Sequence, residues 1–395
     1  MKYSFKCIRT IEELDNIKDA LMVYVDNREE PRVVQQDIEF FKYQIKEDLL
    51  EGKPLICVLY KDDSPVMVSF GEEELVEMSP AIAYFKLRVF NFKKRCYHIF
   101  PYSVFGGNGT LEHSKIFIEM LLDNLRKEDI DYVFFSLLKK KAALSLNLLD
   151  IKNPLVRDFT PSNEKHFLLK VPESLEAFLS TKTSRNRYTL KKVIKRVESE
   201  YQGRYLVKVF VNEEDVDRFY EDAEKVAQKS QLRAINVGFR STKKELMKKK
   251  WIAKKGYFRS YILYLDNIPV SFMAGINYKR HFLVEYLGFN MEYEKMRIGR
   301  YLQLKLIHDI AQTKCADFID FQIGADRWKQ NFSSQEDEEI RIKIYSPKFS
   351  NIFFKVTFTV FPYLNRLVRR LLKKTMLYEK TRKFIRSIFV KKNIE

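Results

Sequence analysis

The chain has 395 residues, of which 46% are apolar and 14% aromatic, so it can form one large or two ordinary domains and is not disordered. Lysine and arginine exceed aspartate and glutamate by 18, which favours an anionic partner such as nucleic acid, a membrane surface or a phosphorylated small molecule. The four cysteines form no Cys-x-x-Cys pair and the histidines are scattered, so we predict free thiols in a reducing cytoplasm and no metal cofactor.

The first half of the chain predicts a mixture of helices and strands. Apolar residues at helical spacing alternate with short apolar runs, and one pair of runs flanks an aspartate-rich turn, which is typical of a β-hairpin. The predicted elements are helices at 11–25 and 114–128, a hairpin at 54–73, and strands at 83–90, 95–102 and 131–138.

The second half repeats this order of elements. In 184–201 the apolar residues keep helical spacing, while the cations Lys191, Lys192 and Lys195 lie elsewhere on the helical wheel. The predicted elements are strands at 166–171, 205–211 and 318–324, helices at 174–183, 184–201, 213–230 and 299–314, and three antiparallel strands within 258–290.

Two segments suggest an internal duplication. "KPLICVLYKDDSPVMVSF" and "RSYILYLDNIPVSFMAGI" both place an acidic turn and a proline between strands; chance similarity of two hairpins is the alternative. We therefore predict an α/β (α+β) fold with two tandem domains, at 1–160 and 161–346. Each has a mixed, mostly antiparallel sheet flanked by helices, and a basic amphipathic helical tail follows at 347–395.

A helix start after residue 296 is a candidate anion site. The sequence places Arg297, Ile298, Gly299, Arg300 and Tyr301 at the beginning of a long helix. The first amides of a helix lack internal acceptors, and arginines beside them suit a diphosphate. The alternative is an ordinary capped surface helix.

The closing strand ends in a dense cluster of charged and aromatic residues. Together with the helices at 184–198 and 219–231 and the passage 286–307, this cluster resembles the CelD/BcsL type of GNAT acyltransferase, which is associated with cellulose and exopolysaccharide production. The resemblance covers about two fifths of the chain. It implies a tandem GNAT fold and acetyl-CoA or another acyl-CoA as co-substrate. The residues that match the terminal motif are Asp320, Phe321, Gly324, Trp328 and Lys329.

The segment "FPYSVFGGNGT" is similar to the acceptor-side segment of the related FemAB-like proteins, whose donor is an aminoacyl-tRNA. This resemblance implies substrate contacts at Tyr102, Phe105, Gly106 and Gly107, and in the second half we predict further substrate contacts at Arg185, Arg187 and Trp328. The alternative for the glycines is a flexible turn before a helix.

Acyl transfer to an amine needs a base and an acid. Glu285 lies on the strand before the anion site and is the candidate base; the alternative is an exposed glutamate. Tyr286 and Tyr301 are candidate acids, or else core aromatics. Asp320 is costly to bury unless it is paired, and we expect Lys329 to be its partner, in a catalytic or a structural role.

The tail is strongly basic, with eleven lysines and arginines against two glutamates from Tyr363 to Glu395. Leu364, Leu367, Val368, Leu371 and Leu372 share one helical face, a pattern typical of helices at anionic membrane interfaces. The alternative is that this face packs against the protein itself.

These features predict a cytoplasmic acyl-CoA-dependent N-acyltransferase, attached to the inner face of the membrane through its tail. The acceptor class, an amino sugar or a carrier-linked glycan precursor, is implied by the resemblance alone. The alternatives are a FemAB-like aminoacyltransferase that uses tRNA, and a non-catalytic scaffold. We predict neither a signal peptide nor a transmembrane helix.

Overall fold

The computed structural model describes residues 2–19, 33–80, 91–106, 110–234 and 238–374. Four sequence predictions fall at least partly outside these residues. They are the strand at 83–90, the second half of the helix at 11–25, Gly107, and the tail beyond residue 374.

The described residues form both strands and helices. The strands are β1 (Tyr3–Ile8), β2 (Lys53–Lys61), β3 (Ser64–Met78), β4 (Phe92–Gly106), β5 (Tyr132–Lys139), β6 (Ser162–Lys170), β7 (Tyr205–Phe210), β8 (Ser260–Leu265), β9 (Ile268–Tyr278), β10 (His281–Phe289), β11 (Phe318–Ile323) and β12 (Gln335–Tyr345). The α-helices are α1 (Ile11–Asp15), α2 (Ile38–Lys46), α3 (Leu111–Lys127), α4 (Ala143–Leu149), α5 (Leu175–Ser180), α6 (Ser184–Glu200), α7 (Asp215–Gln228), α8 (Gln231–Ala234), α9 (Lys243–Lys254), α10 (Ile298–Thr313), α11 (Arg327–Phe332) and α12 (Phe349–Lys374).

The chain divides into two compact units. Unit 1 comprises residues 1–26, 50–163 and 340–395, and unit 2 comprises 27–49 and 164–339. Strand β12 is divided between them at Ile340, and α2 belongs to unit 2 although it precedes most of unit 1 in the chain.

Unit 1 contains a mixed sheet with neighbouring strands in the order β1-β2-β3-β4-β5. The first three ladders are antiparallel, and β4 pairs parallel with β5 from Cys96 opposite Tyr132 to Ile99 opposite Phe135. Helix α3 packs on this sheet through Phe117, Leu121 and other apolar side chains, because its apolar residues recur at helical spacing.

Unit 2 repeats this arrangement with strands in the order β6-β11-β10-β9-β8-β7. The pair β10 and β11 is parallel, and the ladders of β11 with β6, β10 with β9, β9 with β8 and β8 with β7 are antiparallel. In β8, Tyr261 and Leu263 join one apolar cluster while Ile262 and Tyr264 join another. Since successive side chains of a strand point to opposite faces, both faces of this sheet are covered. Helices α6 and α10 contribute to one cluster, and α7 and α9 to the other.

Each unit contains a tight hairpin, and the two hairpins have the same turn geometry. Asp62 and Asp63 in unit 1, and Asp266 and Asn267 in unit 2, all have positive φ, as a tight hairpin turn requires. In each unit the ladder shifts register just past the turn, where Tyr60 faces Pro65 and Tyr264 faces Pro269. The predicted fold class, two tandem α/β domains with mixed, mostly antiparallel sheets, is confirmed.

Helices α2 and α9 were not predicted from the sequence. Helix α9 lies in a lysine-rich stretch and has only a narrow apolar face. Both helices contribute to a buried cluster of unit 2, in which Tyr43 of α2 stacks on Trp251 of α9 and Phe40 of α2 packs against it at a tilt. None of the helices in the described residues is long and apolar enough to cross a lipid bilayer.

Candidate active site

A cleft in unit 2 opens where the parallel strands β10 and β11 stop pairing. Their ladder runs only from His281 opposite Phe318 to Leu283 opposite Asp320. Directly after it, β10 has a bulge between Val284 and Tyr286 that leaves Glu285 without a partner on β9. A bulge re-aims side chains at such a point. The result is a cavity of about 320 Å³ beyond the end of the ladder.

The cleft is mainly apolar with a few polar groups, which is typical of small-molecule sites. Phe321 packs edge-on against Trp328, and Phe239 packs edge-on against Tyr286. The lining residues are Ser230, Gln231, Leu232, Gly238, Phe239, Val284, Glu285, Tyr286, Leu287, Gly288, Phe289, Phe321, Gln322, Asp326, Trp328 and Lys329.

Glu285 and Tyr286 both line this cleft. Adjacent side chains of a regular strand point in opposite directions, and the bulge removes that alternation here. Burial, followed by the charge of Glu285, raises the pKa of Tyr286, so its phenol keeps its proton at neutral pH. The sequence therefore identified a carboxylate and a phenol that meet in the cleft.

Lys249 of α9 is the partner of Glu285 and was not singled out from the sequence. Its ammonium is 2.5 Å from the Glu285 carboxylate, and its side chain is only 4% exposed. Because a charge this buried is costly unless paired, the pair fixes the position of the carboxylate at the cleft. Nothing in the sequence distinguishes Lys249 from the five other lysines in 243–254.

Gln322 closes the inner end of the cleft. Its side-chain amide donates to the carbonyl of Val284 at 2.8 Å and thus bridges the two strands just beyond their last paired residues. Its backbone has φ 61, a left-handed conformation that is unfavourable for a residue with a side chain. The backbone N–H of Gln322 donates to Asp320 at 2.6 Å, and this bond holds the conformation.

Asp320 is fully buried, and its partners are histidines. His166 donates to it through Nε2 at 2.6 Å, and His281 at 3.1 Å. The other ring nitrogen of His166 donates to Glu339 at 2.5 Å. Burial alone would lower the pKa of His166, but Asp320 and Glu339 raise it to about 10, so the ring is an imidazolium. Burial would raise the pKa of Asp320, but the two histidines hold it well below its usual range.

The expected pair between Asp320 and Lys329 is not formed, so that prediction was wrong. The ammonium of Lys329 donates instead to the carbonyl of Ile323 at 2.5 Å, and burial lowers its pKa. Gly324 has φ 148, and a Cβ there would lie 3.1 Å from the Lys329 ammonium, so this turn favours glycine. Lys329 and Trp328 nevertheless line the cleft, as expected.

Helix α10 begins beside the cleft. Arg297 precedes it with φ 57, and no side chain of the described residues caps the helix. The carbonyl of Arg297 accepts from Arg300 and Tyr301, whereas Ile298 and Gly299 precede the first intrahelical donors. A Cβ on Gly299 would lie 3.2 Å from the ring of Phe289, which lines the cleft.

Two side chains of this helix start face the core rather than the cleft. Ile298 and Tyr301 are fully buried, and the Tyr301 hydroxyl donates to Glu198 of α6 at 3.3 Å. Their side chains are therefore not available to a ligand. Burial, followed by Arg297, lowers the pKa of Arg300.

Apart from Gly107, which lies outside the described residues, the other predicted substrate residues are not among those that line the cleft. Arg187 donates to the carbonyls of Leu179, Ser180 and Lys182, so it caps α5, and Arg185 is exposed on the first turn of α6. In unit 1, Tyr102 and Phe105 are buried, and Phe105 packs edge-on against Phe70. Gly106 has φ 85, and a Cβ there would lie 2.2 Å from the carbonyl of Val66, so close packing explains this glycine.

One acidic group in unit 1 has metal-ligand spacing that the sequence did not reveal. Glu72, Glu74 and His98 bring ligand atoms within 4.8 Å of one another because β3 and β4 are adjacent. Glu72 accepts from the amides of Glu51 and Gly52, and Glu74 pairs with His98 at 2.8 Å. Protein partners therefore already satisfy this group.

Part of unit 2 resembles the acetyltransferases of the GNAT family. Residues 184–330 match the family model described as acetyltransferase (GNAT) domain. This match lies within unit 2 and spans α6 to α11.

Solved structures share the fold over most of the chain at low sequence identity. FemX is 10% identical with a TM-score of 0.53, covering 90% of this chain and 100% of that one. The C-terminal domain of a putative lysylphosphatidylglycerol synthetase from Agrobacterium fabrum is 10% identical with a TM-score of 0.50, covering 88% and 96%. A tandem GNAT protein from the clavulanic acid pathway gives a TM-score of 0.46 at 10% identity, covering 87% and 99%. No curated protein matches the chain by sequence.

Proposed function

We propose that this protein is an acyl-CoA-dependent N-acyltransferase whose acceptor is an amino sugar or a carrier-linked glycan precursor. The observation that carries the proposal is the apolar cleft between β10 and β11, with Glu285 at its bulge and the uncapped start of α10 beside it. The acceptor class rests on the resemblance of the motif set to CelD/BcsL-type proteins.

In the proposed reaction the acceptor amine attacks the thioester carbonyl carbon directly, and the carbon–sulfur bond breaks. The Glu285 carboxylate takes the proton that the amine loses, and the phenol of Tyr286 donates a proton to the departing thiolate. The amides of Ile298 and Gly299 bind the diphosphate, with positive charge from Arg297 and Arg300. Gln322 keeps the inner end of the cleft closed through its bond to Val284.

A FemAB-like aminoacyltransferase is the second candidate. Helix α6 exposes a row of cations, namely Arg185, Lys191, Lys192, Lys195 and Arg196, which could contact the phosphates of a tRNA. This alternative predicts tRNA binding that falls steeply with salt. A non-catalytic scaffold would bind neither donor.

Thermal denaturation with each donor separates these candidates, since a ligand that binds only the folded state raises the melting temperature. We expect stabilisation by acetyl-CoA and none by tRNA at physiological salt. Stabilisation by tRNA alone would favour the aminoacyltransferase, and no effect of either donor would favour the scaffold. Release of free thiol from acetyl-CoA in the presence of amino sugars then tests turnover.

Gly299→Glu is expected to abolish donor binding. The new side chain would crowd Phe289 and place a negative charge beside the diphosphate site. Loss of two hydrogen bonds to a charged group, at about 1.5–3 kcal/mol each, corresponds to roughly 100-fold weaker binding or more. Calorimetric titration with coenzyme A measures this, and unliganded melting checks the fold.

Gln312→Glu is the matched control, because it adds the same charge at an exposed position near the far end of α10. Its affinity should equal that of the wild type. If Gly299→Glu also retained wild-type affinity, the diphosphate would bind elsewhere.

A further inference from the structure

Unit 1 contains a second cavity, of about 230 Å³, whose chemistry differs from that of the cleft. It lies among β12, the segment 158–162 and helix α12, with Phe134 of β5. Its lining has an aromatic part and a strongly cationic part. Three cations, Arg341, Lys343 and Lys355, face a single carboxylate, that of Asp158.

The ammonium of Lys343 has neither an ion-pair nor a hydrogen-bond partner among the described residues. Asp158 accepts from the backbone amides of Lys343 and Thr160, and the ammonium of Lys355 bonds to backbone carbonyls, among them Pro154 at 2.6 Å. The ammonium of Lys343 lies over the rings of Tyr132 and Phe134, at 5.3 and 5.5 Å. Asp158 acts on this ammonium electrostatically, but among the described residues no carboxylate forms an ion pair with it within 4 Å.

Two further observations indicate that the cavity takes an anion. Burial lowers the pKa of Lys343, which means that its charge is held at a cost that an anionic ligand would offset. The hydroxyl of Ser162, which also lines the cavity, is buried without a hydrogen-bond partner among the described residues. A buried polar group of this kind is expected to have a partner.

An exposed apolar stripe runs along α12 beside this cavity. Asn351, Phe354 and Phe358 face the body of unit 1, whereas Phe349 on the outer side is 87% exposed. Thr359 lines the cavity, and the next residue, Val360, belongs to the stripe. The stripe recurs at helical spacing and consists of Phe349, Phe353, Val356, Val360, Tyr363, Leu364 and Leu367.

We propose that the cavity binds the headgroup of an anionic phospholipid while the stripe lies in the apolar part of the bilayer surface. Charge selects this occupant over another protein, because the cavity is cationic and the sequence from residue 363 onward carries a net charge of +9. A soluble phosphate would satisfy Lys343 and Ser162 but would leave the stripe in water. This site is independent of the acyl-transfer cleft of unit 2.

Cosedimentation of the full chain with vesicles tests the proposal. Wild type should bind vesicles that contain phosphatidylglycerol and not vesicles of phosphatidylcholine alone. Arg341→Gln with Lys343→Gln should weaken binding roughly thirtyfold, since each cation near an anionic surface contributes about fivefold. Arg126→Gln with Lys152→Gln removes the same two charges from exposed positions of unit 1, and this control should bind within a factor of two or three of wild type.

The stripe and the source of the phosphate need their own measurements. Val356→Ser with Val360→Ser should also reduce vesicle binding, with unchanged melting temperature. Equal binding by the cavity variant and its control would overturn the headgroup site and assign the attraction to the basic tail. If inorganic phosphate raised the melting temperature of the wild type but the protein bound neither kind of vesicle, the lipid assignment would be overturned.

Discussion

Glu285→Gln is expected to lower kcat for acyl transfer by about 10²–10⁴-fold, because it removes the general base. The affinity for acyl-CoA should stay unchanged. The amide has nearly the same shape as the carboxylate but cannot take the amine proton. The bulge and Gln322 border the proposed donor cleft, and this change leaves both in place. Steady-state kinetics with a saturating acceptor measure kcat, and calorimetry measures donor affinity.

Lys249 provides the control for this experiment. Glu285→Gln leaves the Lys249 ammonium buried without its partner, and this alone could disturb the fold. The double variant Glu285→Gln with Lys249→Met contains no unpaired charge, so it should be as stable as the wild type and still inactive. Recovery of turnover in the double variant, or an unchanged pH–rate profile in the single one, would exclude Glu285 as the base.

His166→Gln is expected to destabilise unit 2 by roughly 3–5 kcal/mol, the usual cost of removing one partner of a buried ion pair. The substitution leaves Asp320 and Glu339, both fully buried, without the imidazolium between them. Since Asp320 also holds the strained backbone of Gln322, acyl-CoA affinity should fall along with stability. Urea unfolding monitored by tryptophan fluorescence measures the loss.

The effect of His166 should depend on pH in a defined direction. Its pKa is about 10 in the folded protein and about 6.5 when unfolded. A raised folded pKa stabilises the protein fully below pH 6.5, and this contribution is lost as the pH rises towards 10. The lowered pKa of Asp320 adds stability that is lost below about pH 4.

The difference in stability between wild type and His166→Gln should therefore be largest near pH 5–6 and should shrink by pH 9–10. His308→Gln, at an exposed position of α10, is the matched control and should change stability little at any pH. A difference between wild type and His166→Gln that stays constant from pH 6 to pH 10 would contradict a buried imidazolium.

The elements that were predicted well from the sequence are those determined by residues close together in the chain. The acidic hairpin turns at 62–63 and 266–267 mark tight turns, and the alternating strands around them lie where expected. The start of α10 was also close to its prediction, because Gly299 and its flanking arginines follow the end of a strand. Glu285 was chosen as the candidate base because it lies on that strand.

The site partners that sequence missed are brought together only by the fold. His166 lies 154 residues from Asp320, so proximity in the chain suggested Lys329 instead. Lys249 lies 36 residues from Glu285, among five other lysines in 243–254 that are all less buried than it is. The bulge at Glu285 is a property of paired strands, and strand alternation alone could not show it.

The outer face of α12 illustrates the same limit. The amphipathic pattern predicted either membrane attachment or packing on the protein as alternatives. In the structure Phe354 is buried and Leu367 is exposed, so the helix has an inner and an outer apolar face. The side chains of Val368, Leu371 and Leu372 lie outside the described residues, so the prediction for them stays a prediction.

A crystal structure of the protein with bound coenzyme A would test the central proposal most directly. We expect the diphosphate on the amides of Ile298 and Gly299, and the pantetheine arm in the cleft between β10 and β11 with its sulfur near Glu285 and Tyr286. A diphosphate bound elsewhere, or a cleft that stays closed to the coenzyme at saturating concentration, would contradict it.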